Sequence, residues 1–122
     1  MTILLVTGGR EYDDRKRFSA ELGQFRLRAY EDLIVNGGCP TGADFLARLY
    51  GETFFIPVLT VPADWYSARG KASGPYRNAR MLNAFGLRPD KVLAFPGGKG
   101  TASMVGLARQ SGIEIVYAGR DG

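Results

Sequence analysis

The sequence predicts an α/β fold, a five-stranded parallel sheet in the order 3-2-1-4-5 with helices on both faces, spanning residues 1–122 as one domain. Three observations carry this prediction. Short apolar runs alternate with stretches of helical periodicity along the whole chain. Glycine clusters follow three of those runs. A length of 122 residues allows one compact core and hardly two.

Met1 to Val6 (MTILLV) is a continuous apolar run, as expected for a strand buried on both faces, and Gly8-Gly9 stops it. From about Asp13 to Ala29, apolar residues at Phe18, Leu22, Phe25 and Ala29 are spaced four, three and four, which predicts an amphipathic helix. Asp32 to Val35 reads as the second strand, ended by Asn36-Gly37-Gly38. Pro40 to Asp44 opens a second helix reaching about Glu52, with Phe45, Leu46, Leu49 and Tyr50 as its apolar stripe. Phe54 to Val61 is the expected third strand, with Pro57 near an end or edge because it cannot donate to a ladder.

Pro62 to Pro75 is a long connection, of a length uncommon unless it serves a function or is disordered. Tyr76 to Phe85 predicts a third helix and Lys91 to Phe95 a fourth strand. Thr101 to about Gln110 predicts a fourth helix, and Ile113 to Tyr117 the fifth strand. Parallel strands joined by single helices take right-handed crossovers, so every loop that follows a strand lies on the same sheet edge. TGGR (7–10), GGCPTGAD (37–44) and PGGKGT (96–101) should therefore converge on one crevice.

Composition excludes several chemistries. With no histidine and one cysteine, Cys39, the chain cannot build a Ser-His-Asp triad, a Cys-His dyad, a Cys/His zinc site or an internal disulfide. No metal and no cofactor is expected, and Cys39 reads as a small packing residue. No apolar run approaches the roughly 20 residues of a membrane span. The short N-terminal run reads as a strand and not as a signal peptide, so a cytoplasmic location is expected.

Sixteen Lys and Arg stand against twelve Asp and Glu. Arg69, Lys71, Arg77 and Arg80 fall in one acid-free segment, and without them the counts are equal. The basic excess is local. Glycine, at 17 residues, is used at about twice the ordinary rate of roughly 7%. Eight of the seventeen, Gly8, Gly9, Gly37, Gly38, Gly42, Gly97, Gly98 and Gly100, lie in the three loops.

Glycine after a strand lets the backbone turn sharply and approach a ligand, and the N–H groups that open the next helix suit phosphate. In PGGKGT, Thr101 is placed to cap its helix and to donate a hydroxyl to a phosphate oxygen, with Lys99 as a point charge beside it. Neither the GxxxxGK[ST] nor the GxGxxG fingerprint fits, which argues against a P-loop NTPase. Arg77 and Arg80 are three apart on one helical face, with Lys71 upstream. Trp65 or Tyr66 can stack on a base, Asn78 can bond a ligand or a neighbouring loop, and Arg10 and Tyr12 are phosphate and base candidates.

TGGREY (7–12), GGCPTGAD (37–44), PADW (62–65), GKASGPYRNARM (70–81) and FPGGKGT (95–101) together resemble the YspA-type, cpYpsA-related (DUF2493-like) branch of the SLOG superfamily. Those Rossmann-like domains are related to the Lonely Guy (LOG) and DprA/Smf proteins. The resemblance covers nearly the whole chain in order. It implies a small anionic ligand derived from a nucleotide, of ribose phosphate or ADP-ribose type, held as by a sensor or sequestering module. It also implies a homodimer or higher homo-oligomer, as in LOG proteins.

LOG hydrolases share PGGxGT, here Pro96 to Thr101, and an arginine four before a methionine, here Arg77 and Met81. Their glutamate three beyond the threonine is replaced by Met104 in this sequence. Methionine cannot accept a proton or stabilise positive charge on ribose. Asp44, with Glu11 and Asp64 behind it, is the candidate substitute, so the catalytic pair of an N-glycosidic or phosphoester hydrolase would be Arg77 and Asp44. A DprA-like single-strand binder is disfavoured because no interleaved aromatic and basic stripe is present.

Overall fold

The computed structural model describes residues 1–63 and 73–118. Its strands are β1 (Ile3–Thr7), β2 (Leu33–Asn36), β3 (Val58–Thr60), β4 (Lys91–Ala94) and β5 (Glu114–Tyr117). Its helices are α1 (Arg15–Gly23), α2 (Gly42–Phe54), α3 (Ser73–Met81) and α4 (Lys99–Gln110), with a 3-10 turn at Ala84–Gly86. All strand pairs are parallel and the order is β3-β2-β1-β4-β5, as the sequence predicts. The fold is a Rossmann-like α/β domain.

Alternation along β1 divides the core. Leu4 and Val6 face Phe18, Leu22 and Leu46 of α1 and α2 together with Phe95, while Ile3 and Leu5 face Met81 of α3 and Met104 and Ala108 of α4. Both faces are thus covered by helices, which explains why β1 shows no polar alternation. Each large apolar side chain buried here is worth about 1.5–3 kcal/mol relative to exposure. At the opposite end of the sheet two carboxylates anchor β1. Asp32 accepts from Thr2 N and Asp90 from Ile3 N, each at 2.7 Å. Asp32 is also bonded by Arg28, which holds its carboxyl well below the usual range, together with the Thr2 and Arg28 amides.

Six element boundaries depart from the sequence expectation. α1 ends at Gly23 and not near Ala29: Phe25 N turns back to Leu22 O, and Arg26 adopts a left-handed φ of 50°. Phe54 is helical, and Phe55 ends α2 in a left-handed conformation with φ 59°. β3 therefore begins only after Pro57, and the two phenylalanines are exposed. α3 starts at Ser73, ahead of Tyr76, and stops at Met81, and α4 starts at Lys99, two residues before Thr101. Among the described residues no helix is long and apolar enough to cross a membrane.

Candidate functional site

β1 and β4 are neighbours whose following connections run to opposite faces, through α1 and α4, which opens a crevice beyond their carboxyl ends. Backbone bonding continues past the strands: Phe95 N donates to Thr7 O and Gly9 N to Pro96 O, both at 2.9 Å. The three glycine loops meet there, around an open crevice of about 1480 Å³. Gly42 makes the closure possible. Its φ is +71°, and a Cβ on it would lie 2.6 Å from the carbonyl carbon of Arg10.

Of the helices that begin at this edge, α1, α2 and α4 border the glycine loops, and their N-termini differ. α1 is capped by its own acid, since the Asp14 carboxylate accepts from Arg17 N at 3.0 Å. At α2 the Gly9 carbonyl accepts from Ala43 N at 3.2 Å, filling the first turn with backbone. α4 has neither. Gly98 is its N-cap, no side chain among the described residues bonds its first N–H groups, its first turn contains no acid, and Lys99 stands at its first position. Thr101 is the third residue of the helix and does not cap it, contrary to expectation; its side chain instead packs beside Gly97. The N-terminus of a helix carries roughly half a positive charge, so a lysine there without an anion is an unfavourable arrangement.

Arg77 closes the opposite wall. It is half-buried, its Nη1 donates to Gly37 O, and its Nε donates to Asn78 Oδ1 at 2.9 Å. Among the described residues no carboxylate lies within ion-pair distance of it. Burial is the main cause that lowers its pKa, and the like charge of Arg10 adds to it, against the pull of Asp44 and Cys39. Gly37 is a glycine for lack of room. A Cβ there would lie 2.8 Å from Arg77 Cζ and 3.1 Å from Asp44 Oδ2.

Asp44 has work of its own. Its carboxylate accepts from Cys39 N at 3.0 Å and from Gly37 N, so it shapes the loop after β2. Burial raises its pKa, opposed by those two amides and by the charges of Arg77 and Arg48. Buried Asn36, at the end of β2, fixes the start of α2 by donating to Asp44 O at 3.0 Å, and it accepts from Thr60 Oγ1 at 2.8 Å.

Of the residues singled out in the sequence, Gly8, Gly9, Arg10, Tyr12, Gly37, Gly38, Asp44, Arg77, Asn78, Gly97, Gly98, Lys99, Gly100 and Thr101 line the crevice. Gly42 packs beneath Gly9 and Arg10 and is not on the wall; Arg80 is exposed and also off it. Trp65 and Lys71, with Asp64 and Tyr66, lie outside the described residues. Tyr12 packs its ring against Phe95, with centroids 4.9 Å apart, and its hydroxyl is buried with no hydrogen-bond partner among the described residues. Glu11 lines the crevice and is exposed. Met104 does not line it; at 1% exposure it is part of the core beneath α4. Ser103 lines the wall and was not anticipated, although its spacing of three and four from Gly100 and Lys99 places all three on one helical face. No cluster of three or more metal-ligating side chains occurs among the described residues.

Residues 2–67 match the model of a family described as YAcAr: YspA, cpYpsA-related SLOG family. The chain is also similar to the Gene 61 protein of Mycobacterium phage D29, at 32% identity over 126 residues covering 98% of each chain.

Proposed function

The chain belongs to the YspA, cpYpsA-related SLOG family, and from that premise we propose that its crevice binds a small nucleotide-derived ligand, of ribose phosphate or ADP-ribose type, with a phosphoryl group at the N-terminus of α4. The observation that carries this is the α4 N-terminus: without a side-chain cap or an acid in its first turn, headed by Lys99, and facing a crevice whose far wall holds Arg77, which has no ion-pair partner among the described residues. Two positive groups on one concave surface, neither ion-paired with a carboxylate among the described residues, are stabilised by an external anion. Of the three helices that follow the glycine loops, the starts of α1 and α2 are already satisfied, by Asp14 and by the Gly9 carbonyl, which leaves α4 as the preferred seat of the anion among them.

Binding without turnover, as in a sensor or sequestering module, is the reading these contacts favour. The Asp44 carboxylate is engaged by two loop amides, and the position that the LOG resemblance pairs with Arg77 holds a core methionine. Calorimetric titration with AMP, ADP-ribose, NAD and cyclic nucleotides, each followed by chromatography of the mixture, tests the proposal. Saturable binding of a phosphorylated nucleotide, with the ligand recovered intact, is expected. Conversion of the ligand would assign a hydrolase instead, and equal affinity for adenosine would remove the phosphate subsite.

A further inference from the structure

We propose that Asn78 is the positioning residue that holds the Arg77 guanidinium toward the anion seat; this rests on the reading that an anion sits at the α4 N-terminus. Asn78 is a buried amide, 5% exposed, on α3. Its Oδ1 accepts from Arg77 Nε at 2.9 Å, and its Nδ2 points to Gly100 O at 3.4 Å and to Ser103 Oγ at 3.5 Å. Arg77 in turn donates through Nη1 to Gly37 O. Two adjacent residues of α3 thus span from the loop after β2 to the first turn of α4.

The consequence is orientational. A guanidinium has five N–H donors in a rigid fork. Two are engaged, by Asn78 and by Gly37. These bonds fix the plane of the fork and leave its remaining donors on a side chain that lines the crevice. An arginine side chain otherwise samples many rotamers, so holding it before the ligand arrives favours binding. The Asn78 amide also fixes α3 against the turn of α4 whose N–H groups would take the anion, so guanidinium and helix N-terminus are set at one separation.

A double-mutant cycle with AMP as probe separates this role from a direct or merely structural one. Dissociation constants would be measured calorimetrically for the unaltered chain, Arg77→Ala, Asn78→Ala and the double variant, with thermal unfolding as the check on folding. Arg77→Ala is expected to weaken AMP binding by tenfold or more and Asn78→Ala by about tenfold, with the double variant within about twofold of Arg77→Ala. Losses that multiply would overturn the proposal, because Asn78 would then act independently of Arg77. Unchanged binding in Asn78→Ala beside weakened binding in Arg77→Ala overturns it while leaving the anion site intact. Unchanged binding in Arg77→Ala, or no AMP binding by the unaltered chain, removes the site reading and the proposal together.

Should the alanine variant not fold, Asn78→Leu carries the test. It keeps nearly the same volume, removes the acceptor for Nε and adds no charge near the anion seat. It is expected to weaken AMP about tenfold while Arg77 is present and no further in the Arg77→Ala background; equal weakening in both backgrounds overturns the proposal.

Discussion

Replacing Gly98 by aspartate is expected to remove affinity for a phosphorylated ligand while leaving the protein as stable as before or more so. Gly98 is the N-cap of α4 with φ −98°, and no heavy atom lies within 4 Å of the position a Cβ would take, so the side chain fits. An N-cap aspartate gains a few tenths of a kcal/mol over glycine, and its charge on the helix dipole adds about 0.3–1 kcal/mol. The same carboxylate occupies the donors the ligand needs and repels it. Two like charges about 4 Å apart cost about 1 kcal/mol in bulk water and about 4 kcal/mol near a protein surface. A value of about 2 kcal/mol suits this exposed loop and corresponds to about a thirtyfold weaker Kd.

Gly98→Asn isolates the charge, because asparagine caps equally well. It is expected to fall between the aspartate variant and the unaltered chain. Calorimetric titration with AMP and thermal unfolding supply the two readouts. AMP binding within twofold of the unaltered chain in Gly98→Asp would refute the assignment of the anion to α4.

Gly37→Ala places a methyl against the Arg77 guanidinium and displaces it from its bonds to Gly37 and Asn78; stability should fall by about 1–3 kcal/mol while AMP affinity falls about tenfold, read by denaturant unfolding and calorimetry. Met104→Glu puts back the carboxylate that the LOG pattern has there, but in the core beneath α4. It should cost about 3 kcal/mol or more and confer no nucleotide hydrolysis detectable by chromatography. For Asp44, whose folded pKa is raised, the folded state holds more protons than the unfolded one between the usual carboxylate range and the raised value. Its contribution to stability is therefore full below about pH 4 and is lost as pH rises through the folded pKa. Urea unfolding across this range should show a decline with pH that Asp44→Asn flattens; a steeper decline in the variant would contradict the assignment.

The strand order was legible because β1, β2 and β4 are buried runs ended by glycine, a signal that survives without tertiary information. The departures all occur where local pattern and global packing diverge. Phe25 and Ala29 continue the α1 period in sequence, yet the chain turns at Gly23. Phe54 and Phe55 look like the start of a strand, but they are the exposed end of α2, and pairing with β2 starts only beyond Pro57, which has no N–H to give.

The site was legible as far as its backbone, since glycines mark where chain must pass close to chain. Its side-chain roles were less so. That Thr101 does not cap α4 follows from the helix starting two residues earlier, a shift no composition reveals. That Asp44 serves the loop after β2, and that Met104 belongs to the core, are facts of packing between distant segments. Asn36 carried no signal beyond its place before two glycines, and its role comes from being the polar group buried where β2, α2 and β3 meet.

The most direct test of an anion seat at α4 is a titration of the ¹⁵N-labelled protein followed through its backbone amide resonances, with AMP in one series and adenosine in the other. The prediction is that AMP, and not adenosine, shifts the amides from Gly97 to Thr101 most strongly, together with the Arg77 side-chain Nε–H. Shifts centred on the start of α1 or α2, or the same shifts with adenosine, would contradict it.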